Sequence, residues 1–421
     1  VDKPDPSVGD RLRRLRGQAG RPEPPVSADT GSAATLAPSF SDRVRRLMVG
    51  REPVRSKVPD EVALREALGA QALAPGVLLI ERRLGARLRH GRVVLKPDGA
   101  VVERLPSSLR VLMAPKVATQ PPSAPLVYLD TETSGLSGGS GTWAFLTGIV
   151  SADGEGWRLR QYLLTRLDAE AEYLEAVRGA ITGAGAMVSY NGRSFDVPLL
   201  TTRFRLCEQP DPFARLPHLD LLAPVRRAFG RVWPDCRLAT AESRLLGLER
   251  EGDMPGSAAP LAWLDWLRRG DTTGLAAVLR HNRWDLFSLV GLVPVLGEAF
   301  EDPVSLGADT HAVAAHHIGH GQPDRALWML RADRHRLGTA GLLELARLHR
   351  RRGEWGEACA IWETLAAAGE QAALAALAKY HEHRSRDLLR ALGYAIALSP
   401  SPERDRRCER LEAKLALKRG A

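Results

Sequence analysis

LVYLDTETSG, residues 126–135, runs four apolar residues into two acids, Asp130 and Glu132. A short apolar run bounded by a Pro/Ser segment reads as a buried strand. Side chains two apart on a strand share a face, so these carboxylates repel each other unless a cation stands between them. Mg2+ or Mn2+, which take oxygen ligands, meet that need. Two further pieces lie downstream. Asn191-Gly-Arg-Ser-Phe195-Asp196 follows the apolar run AMVSYN, with Phe195 as an apolar anchor and Asp196 aimed back at the sheet. His281-Asn-Arg-Trp-Asp285 falls in a helical pattern, where positions i and i+4 share one face. Around them TWAFLTGIVS and GWRLRQYLL read as strands joined by a turn at Asp153-Gly154, and Glu170 to Ile181 reads as a helix. The predicted architecture of residues 126–300 is therefore α/β, a mixed sheet flanked by helices.

The pieces DxE, NxxxFD and HxxxD, in that order, resemble the DEDD superfamily of 3′→5′ exonucleases on the ribonuclease H-like fold. More narrowly, LDTETSGLSGGSGTWAFLTGI, SYNGRSFDVPLL, HLDLL, GDMPG and VLRHNRWDLFSL resemble the YprB-type ribonuclease H-like family, over residues 126 to about 297. The resemblance implies hydrolysis of a phosphodiester with two ions of Mg2+ or Mn2+, acting on the end of single-stranded DNA or RNA. It implies that Asp130 bridges both ions and that Glu132 and Asp285 complete the site of the attacking water. Asp196 would support the second ion through water, and His281 would orient or deprotonate the nucleophile. His281 stands four residues before Asp285, whereas the histidine branch of the superfamily spaces the pair by five. That leaves a contact to substrate phosphate open as its other role. By the same analogy Leu136 wedges against the terminal base, and Tyr190, Asn191 and Phe195 are candidate substrate contacts. Two alternatives stay open: a nucleic-acid-binding scaffold with an inactive nuclease domain, and a structure-selective endonuclease.

Other features favour structural readings. Trp143 and Phe145 alternate on a strand and read as core. Gly135-Leu-Ser-Gly-Gly139 matches a nucleophile elbow by pattern, but a strand follows where that elbow needs a helix. His311, His316, His317 and His320 lack a companion Cys or carboxylate for a metal site. Asp220 in HLDLL reads as a supporting residue and Asp253 in GDMPG as a loop residue. Arg193 and Arg203 could reach phosphates, although surface exposure is the default for Arg.

Working outward, residues 1–40 are rich in Pro, Gly, Ser and Arg and read as a disordered arm. Residues 41–115 read as a small α+β region, with a helix from Asp60 to Leu73 and extended pieces GVLLIERRL, GRVVLKP and AVVERL; residues 116–125 read as a linker. From 305 to 421 the pattern is all helix. GQPDRAL (321–327) and GEWGEAC (353–359) align 32 residues apart, a TPR-like period that points to a protein partner.

The 421 residues are 44% apolar and 26% charged, as in a chain with a sizeable core. Seven of the 59 basic residues are Lys, and no Lys lies between residues 117 and 378. A Walker-A or Schiff-base lysine is thereby excluded from that region. The four Cys show no CxxC spacing, which fits neither a zinc ribbon nor a disulfide framework. The opening VDKPDPSVGD lacks a signal-peptide pattern, and the most apolar run, Leu289 to Leu296, is too short to span a bilayer. No membrane association and a cytoplasmic location are expected. The net charge of +9 divides unevenly. Residues 1–125 hold 22 basic and 13 acidic residues, and residues 126–300 hold 18 and 21. The basic excess outside the α/β region makes the N-terminal arm a candidate for non-specific phosphate contact.

Overall fold

A computed structural model describes residues 59–97, 100–113, 124–135, 141–154 and 156–419. The expected arm (1–40) and nearly all of the expected linker lie outside these residues.

LVYLDTET forms strand β5 (Leu126–Thr133), preceded in the chain by β1 (Gln71–Ala74), β2 (Val77–Leu84), β3 (Leu88–His90) and β4 (Val93–Leu95). Strands β6 (Ala144–Asp153), β7 (Gly156–Leu164), β8 (Ala186–Ser189) and β9 (His218–Asp220) follow. Seven strands make one sheet in the order β1-β2-β7-β6-β5-β8-β9. Strand β5 runs antiparallel to β6 and parallel to β8. Its central place explains why VYL is apolar on both faces. A turn with Gly154 at φ 59° links β6 to β7, as the Asp-Gly pair predicts.

The helices are α1 (Glu61–Leu68), α2 (Glu170–Ile181), α3 (Asp196–Leu206), α4 (Leu222–Phe229), α5 (Ala259–Arg269) and the 29-residue α6 (Thr273–Glu301). One core lies on the sheet face of Leu126 and Tyr128, beneath the C-terminal half of α6 and against α4. The other lies on the face of Val127 and Leu129, against α2, α3, α5 and the start of α6. Helix α6 thus roofs the sheet and carries its HxxxD pair to the end of β5.

The N-terminal pieces differ from expectation. The helix predicted to Leu73 ends at Leu68, because Gly69 takes φ 60° and caps it, and the chain then turns into β1. GVLLIERRL makes no separate sheet. As β2 it pairs with β7 from Val77↔Leu164 to Leu84↔Trp157 and widens the main sheet. Within GRVVLKP, β4 forms a two-stranded ribbon with β3. AVVERL is not a strand: Val102–Arg104 is a 3-10 turn, held by Val102 N–H donating to the Ala124 carbonyl at 3.0 Å.

Beyond α6 lie α7 (Thr310–Gly319), α8 (Pro323–Ala332), α9 (Thr339–Arg351), α10 (Trp355–Ala367), α11 (Gln371–His383), α12 (Leu388–Ile396) and α13 (Pro402–Arg419). The aligned glycines Gly321 and Gly353 take φ 76° and 77° in the α7–α8 and α9–α10 turns, so the sequence repeat has a matching backbone. The histidine cluster is packing. His316 and His317 are buried, and the two His317 ring nitrogens meet Gln322 Oε1 and the Phe300 carbonyl at 2.7 and 2.8 Å. No described helix is long and apolar enough to cross a membrane.

Candidate active site

Asp130 and Glu132 leave β5 on the face covered by α6. Asn282, fully buried on α6, donates to the Asp130 carbonyl at 3.2 Å and to Asp130 Oδ2 at 2.8 Å. Gln161 of β7 in turn donates to Asn282 Oδ1 at 2.8 Å. Gly148 stands opposite Asp130 on β6, and a Cβ there would come within 2.1 Å of Asn282 Oδ1. Glycine is what admits the amide. Asn282 lies inside the HNRWD motif but went unremarked in sequence reasoning; its burial at one turn's spacing from the sheet-facing Leu279 and Leu286 was the available signal.

The second pair of motifs reaches the same place. Asp196 opens α3 and accepts a hydrogen bond from the Thr131 hydroxyl. Asp285 accepts from Arg250, which also pairs with Glu242 and Asp253. His281 Nδ1 lies 2.7 Å from Asp253 Oδ2, and its Nε2 is 3.7 Å from Asp285 Oδ2. The Asp253 carboxylate can only accept, so the proton is assigned to Nδ1 and Nε2 is left facing the acids. Burial opposes ionisation of Asp253, but the hydrogen bonds from Arg250 and His281 outweigh it and hold its carboxyl below the ordinary range. Sequence reasoning gave the GDMPG loop no chemistry and missed Arg250.

Burial and nearby charges act on three of the four motif acids. Burial raises Asp130 well above the usual carboxylate range, and the charges of Asp285, Asp196 and Glu132 add to it. Glu132 is pushed up to about 8, first by burial and then by Asp285 and Asp196. Asp196 rises to about 6 through burial, with the Thr131 hydroxyl pulling the other way. Such a donor set fits a hard divalent cation by its chemistry, since bound positive charge would relieve every one of these penalties. It is not closed around a single point: among the described residues no three His, Cys, Asp or Glu converge as a ready ligand group. The cause is visible, because Asp130 is drawn to Asn282, Asp196 to Thr131 and Asp285 to Arg250.

A cleft of about 500 Å³ opens on three of these acids, lined by Asp130, Glu132, Asp196, Tyr190, Asn191 and Phe195. Gly256 also lines it, and a Cβ there would lie 3.3 Å from His281 Nε2. A larger cavity of about 830 Å³ lies elsewhere, between β4, Trp157 and the C-terminal half of α6, away from the carboxylates. The chemistry, not the volume, selects the smaller one. Phe195 departs from its expected role as an anchor: it is 60% exposed in the cleft wall. As the residue capping α3 it turns outward, and Leu199, Leu200 and Phe204 anchor the helix instead. The Tyr190 hydroxyl donates to the Cys236 carbonyl at 2.6 Å, so its ring rather than its oxygen faces the cleft. Asn191 holds φ 65°, and its N–H donates to Asp220 Oδ1 at 2.7 Å. Asp220 also accepts from the backbone of Arg193 and Leu222, fixing the loop in the supporting role read from sequence. Leu136, and with it the GLSGG loop tip, lies outside the described residues. Phe145 is core, stacked on Trp263 at 4.9 Å. Neither Arg193 nor Arg203 is free for phosphate. Arg193 donates to the Leu112 and His218 carbonyls, and Arg203 is buried on Glu170 and lies 4.0 Å over Trp143.

Residues 127–296 match the RNase_H_2 family of the RNase_H superfamily. The uncharacterized protein YprB of Bacillus subtilis (strain 168) is 30% identical over 285 residues, which are 64% of this chain and 68% of YprB. Among solved structures, the family B DNA polymerase of the hyperthermophilic archaeon Pyrobaculum calidifontis aligns with 55% of this chain at 14% identity and a TM-score of 0.34. The chain spans 30% of that polymerase's length.

Proposed function

This chain belongs to the YprB family of the ribonuclease H superfamily, and on that premise we propose that it is a metal-dependent nuclease that removes nucleotides from the 3′ end of single-stranded DNA or RNA. Ribonuclease H-like nucleases work with divalent metal ions. The observation that carries the proposal is the gathering of Asp130, Glu132 and Asp196 in one cleft, with Asp285 next to them beside a histidine held by its own carboxylate. Asp130, Glu132, Asp196 and Asp285 would hold two ions of Mg2+ or Mn2+, which when bound stabilise the charge on the incoming and leaving oxygens. The chain's own groups do the rest. Asn282 fixes the Asp130 carboxylate, and Asp253 keeps the His281 proton on Nδ1, so that Nε2 can accept a proton from water. The exposed Phe195 ring offers a base a stacking surface that tolerates any sequence.

End-labelled single strands of DNA and RNA with Mn2+ test the proposal: stepwise shortening from the 3′ end that Asp130→Asn abolishes is the expected result. No cleavage of any strand would sink it. A closed single-stranded circle separates the exonuclease, which leaves it intact, from an endonuclease.

A second reading has one observation in its favour. Arg250 already supplies Asp285 with a positive charge, as in a domain that binds nucleic acid without cutting. Calorimetric titration with Mn2+ discriminates, because the scaffold reading requires no binding.

A further inference from the structure

We propose that Arg82, Arg280 and Arg283 form a phosphate-binding subsite that holds the nucleic-acid backbone beside α6. The three arginines line a small cavity of about 120 Å³ whose floor includes Ile80 and Leu279. Arg82 comes from the sheet-widening strand β2, and the other two come from α6. Arg82 and Arg283 have no hydrogen-bond or ion-pair partner among the described residues. Arg280 reaches one carbonyl, that of Gly252 at 3.2 Å, and its guanidinium lies 5.9 Å from the Trp284 ring.

Arg82 and Arg280 are exposed, whereas two arginines withdrawn further from solvent are neutralised: Arg203 by Glu170, and Arg250 by Glu242, Asp253 and Asp285. Arg283 is half-buried, and burial together with the charges of Arg82 and Arg280 works against its cation. A guanidinium does not escape by losing its proton. Like charges held together without an acid are relieved by an anion, and the planar fork of Arg matches the oxygens of phosphate.

The placement connects this cavity to the acids. At 100° per residue, position 283 falls on the flank of α6 opposite 281 and 285, position 280 lies on the outer side about 40° from 284, and 282 faces the sheet. Gln161 lines the cavity and also donates to Asn282, which donates to Asp130. Two hydrogen bonds thus separate the arginine pocket from the first motif acid. Over the outer side of the helix, Trp284 has Arg250 and Arg280 within 6 Å of its ring at 5.7 and 5.9 Å. A strand leaving the cleft across α6 would pass this aromatic face and set a phosphate among the three arginines. The source of the phosphate rests on the nuclease reading; the anion site itself does not.

The test uses the metal-free full chain in two arms. In the first, thermal midpoints are compared in inorganic phosphate and in chloride at equal ionic strength. Phosphate should raise the wild-type midpoint and leave that of Arg82→Gln/Arg283→Gln unmoved. In low-salt chloride Arg283→Gln should melt higher than wild type, which also shows that it folds. Equal phosphate stabilisation of wild type and double variant overturns the site. In the second arm, fluorescence anisotropy follows a labelled single-stranded oligonucleotide across salt concentrations. The slope of log affinity against log salt should fall by about 0.7 for each phosphate contact removed. An unchanged slope, with the phosphate response still dependent on the arginines, overturns the assignment to the strand backbone. A wild-type chain that binds no oligonucleotide refutes the nuclease reading, and the phosphate arm still decides the anion site.

Discussion

Gly148→Ala should cost this protein stability and activity together, although a central strand ordinarily gains from losing a glycine. The added Cβ would stand 2.1 Å from Asn282 Oδ1 and 2.6 Å from Leu286 Cδ1. Leu286 can rotate aside. Asn282 cannot, because its amide is held at both ends, by Gln161 and by Asp130, each at 2.8 Å. Overpacking of this kind costs roughly 1–3 kcal/mol, and a hydrogen bond to a charged group is worth about 1.5–3 kcal/mol. Reduced chain entropy in the unfolded state returns roughly 0.4–1 kcal/mol. A net loss of roughly 1.5–5.5 kcal/mol follows. Urea unfolding of the metal-free chain measures it, and Gly179→Ala supplies the control. Gly179 lies on the exposed side of α2 with nothing within 4 Å of its Cβ position, so the same substitution there should stabilise by about 0.5–1 kcal/mol. A double-mutant cycle with Asn282→Ala completes the argument. With the amide gone, most of the clash is gone, and the cost of Gly148→Ala should fall by more than 1 kcal/mol, on the order of the overpacking term. A neutral Gly148→Ala, or strict additivity with Asn282→Ala, would refute the claim that this glycine exists to seat Asn282 against Asp130.

Three further outcomes are expected. Glu132 is lifted from 4.5 to about 8, so between those values the folded chain keeps a proton that the unfolded chain releases, and metal-free stability falls as pH rises, by up to about 1.4 kcal/mol per unit. Urea unfolding from about pH 7, above the ordinary histidine value of about 6.5, to about pH 8 should show this slope, and Glu132→Gln should flatten it; identical slopes would contradict the burial assigned to Glu132. Asp253→Asn should lower the cleavage rate by roughly 10- to 100-fold, on the scale of losing the group that orients a working histidine, while Mn2+ binding measured calorimetrically persists; an unaltered rate would remove Asp253 from the site. Phe195→Ala should weaken single-strand binding by about 1–3 kcal/mol with little change in urea midpoint, since the ring is 60% exposed; a large drop in stability would make it the anchor that the sequence pattern suggested.

What could be read from the sequence followed from local periodicity. Two acids at i and i+2 on a strand, and a His and an Asp at i and i+4 on a helix, keep those relations wherever the elements go. The motif acids were accordingly found, and so was the mixed sheet around β5. Contacts that depend on distant segments were not legible. Asn282 meets Gln161 and Asp130 across separations of 121 and 152 residues, and nothing in the neighbourhood of Gly148 announces that α6 will lie on it. GVLLIERRL looked like part of a small region of its own because an edge strand carries no mark of its partner, which turns out to be β7, some 80 residues on. Phe195 was misread because apolar residues are usually buried, whereas a helix-capping position points its side chain by backbone angle rather than by polarity.

Arg250 is the most instructive omission. Four unshared carboxylates cannot be packed together uncompensated, so the sequence pattern requires a positive charge, and on its own it points to divalent ions. The fold supplies part of that charge itself. Arg250 takes Asp285 and Asp253 together with the buried Glu242, while Thr131 and Asn282 give Asp196 and Asp130 hydrogen bonds instead of charge. Three of the four acids are thereby tethered separately, and among the described residues no three of them converge on one point. A cation that gathers them must draw Asp285 partly away from Arg250, and the freed guanidinium would still be held by Glu242 and Asp253. Metal affinity at this site should therefore depend on Arg250 in the opposite sense to folding. Removing the arginine weakens the metal-free fold, because it strands the buried Glu242, yet it relieves Asp285 of a competing partner.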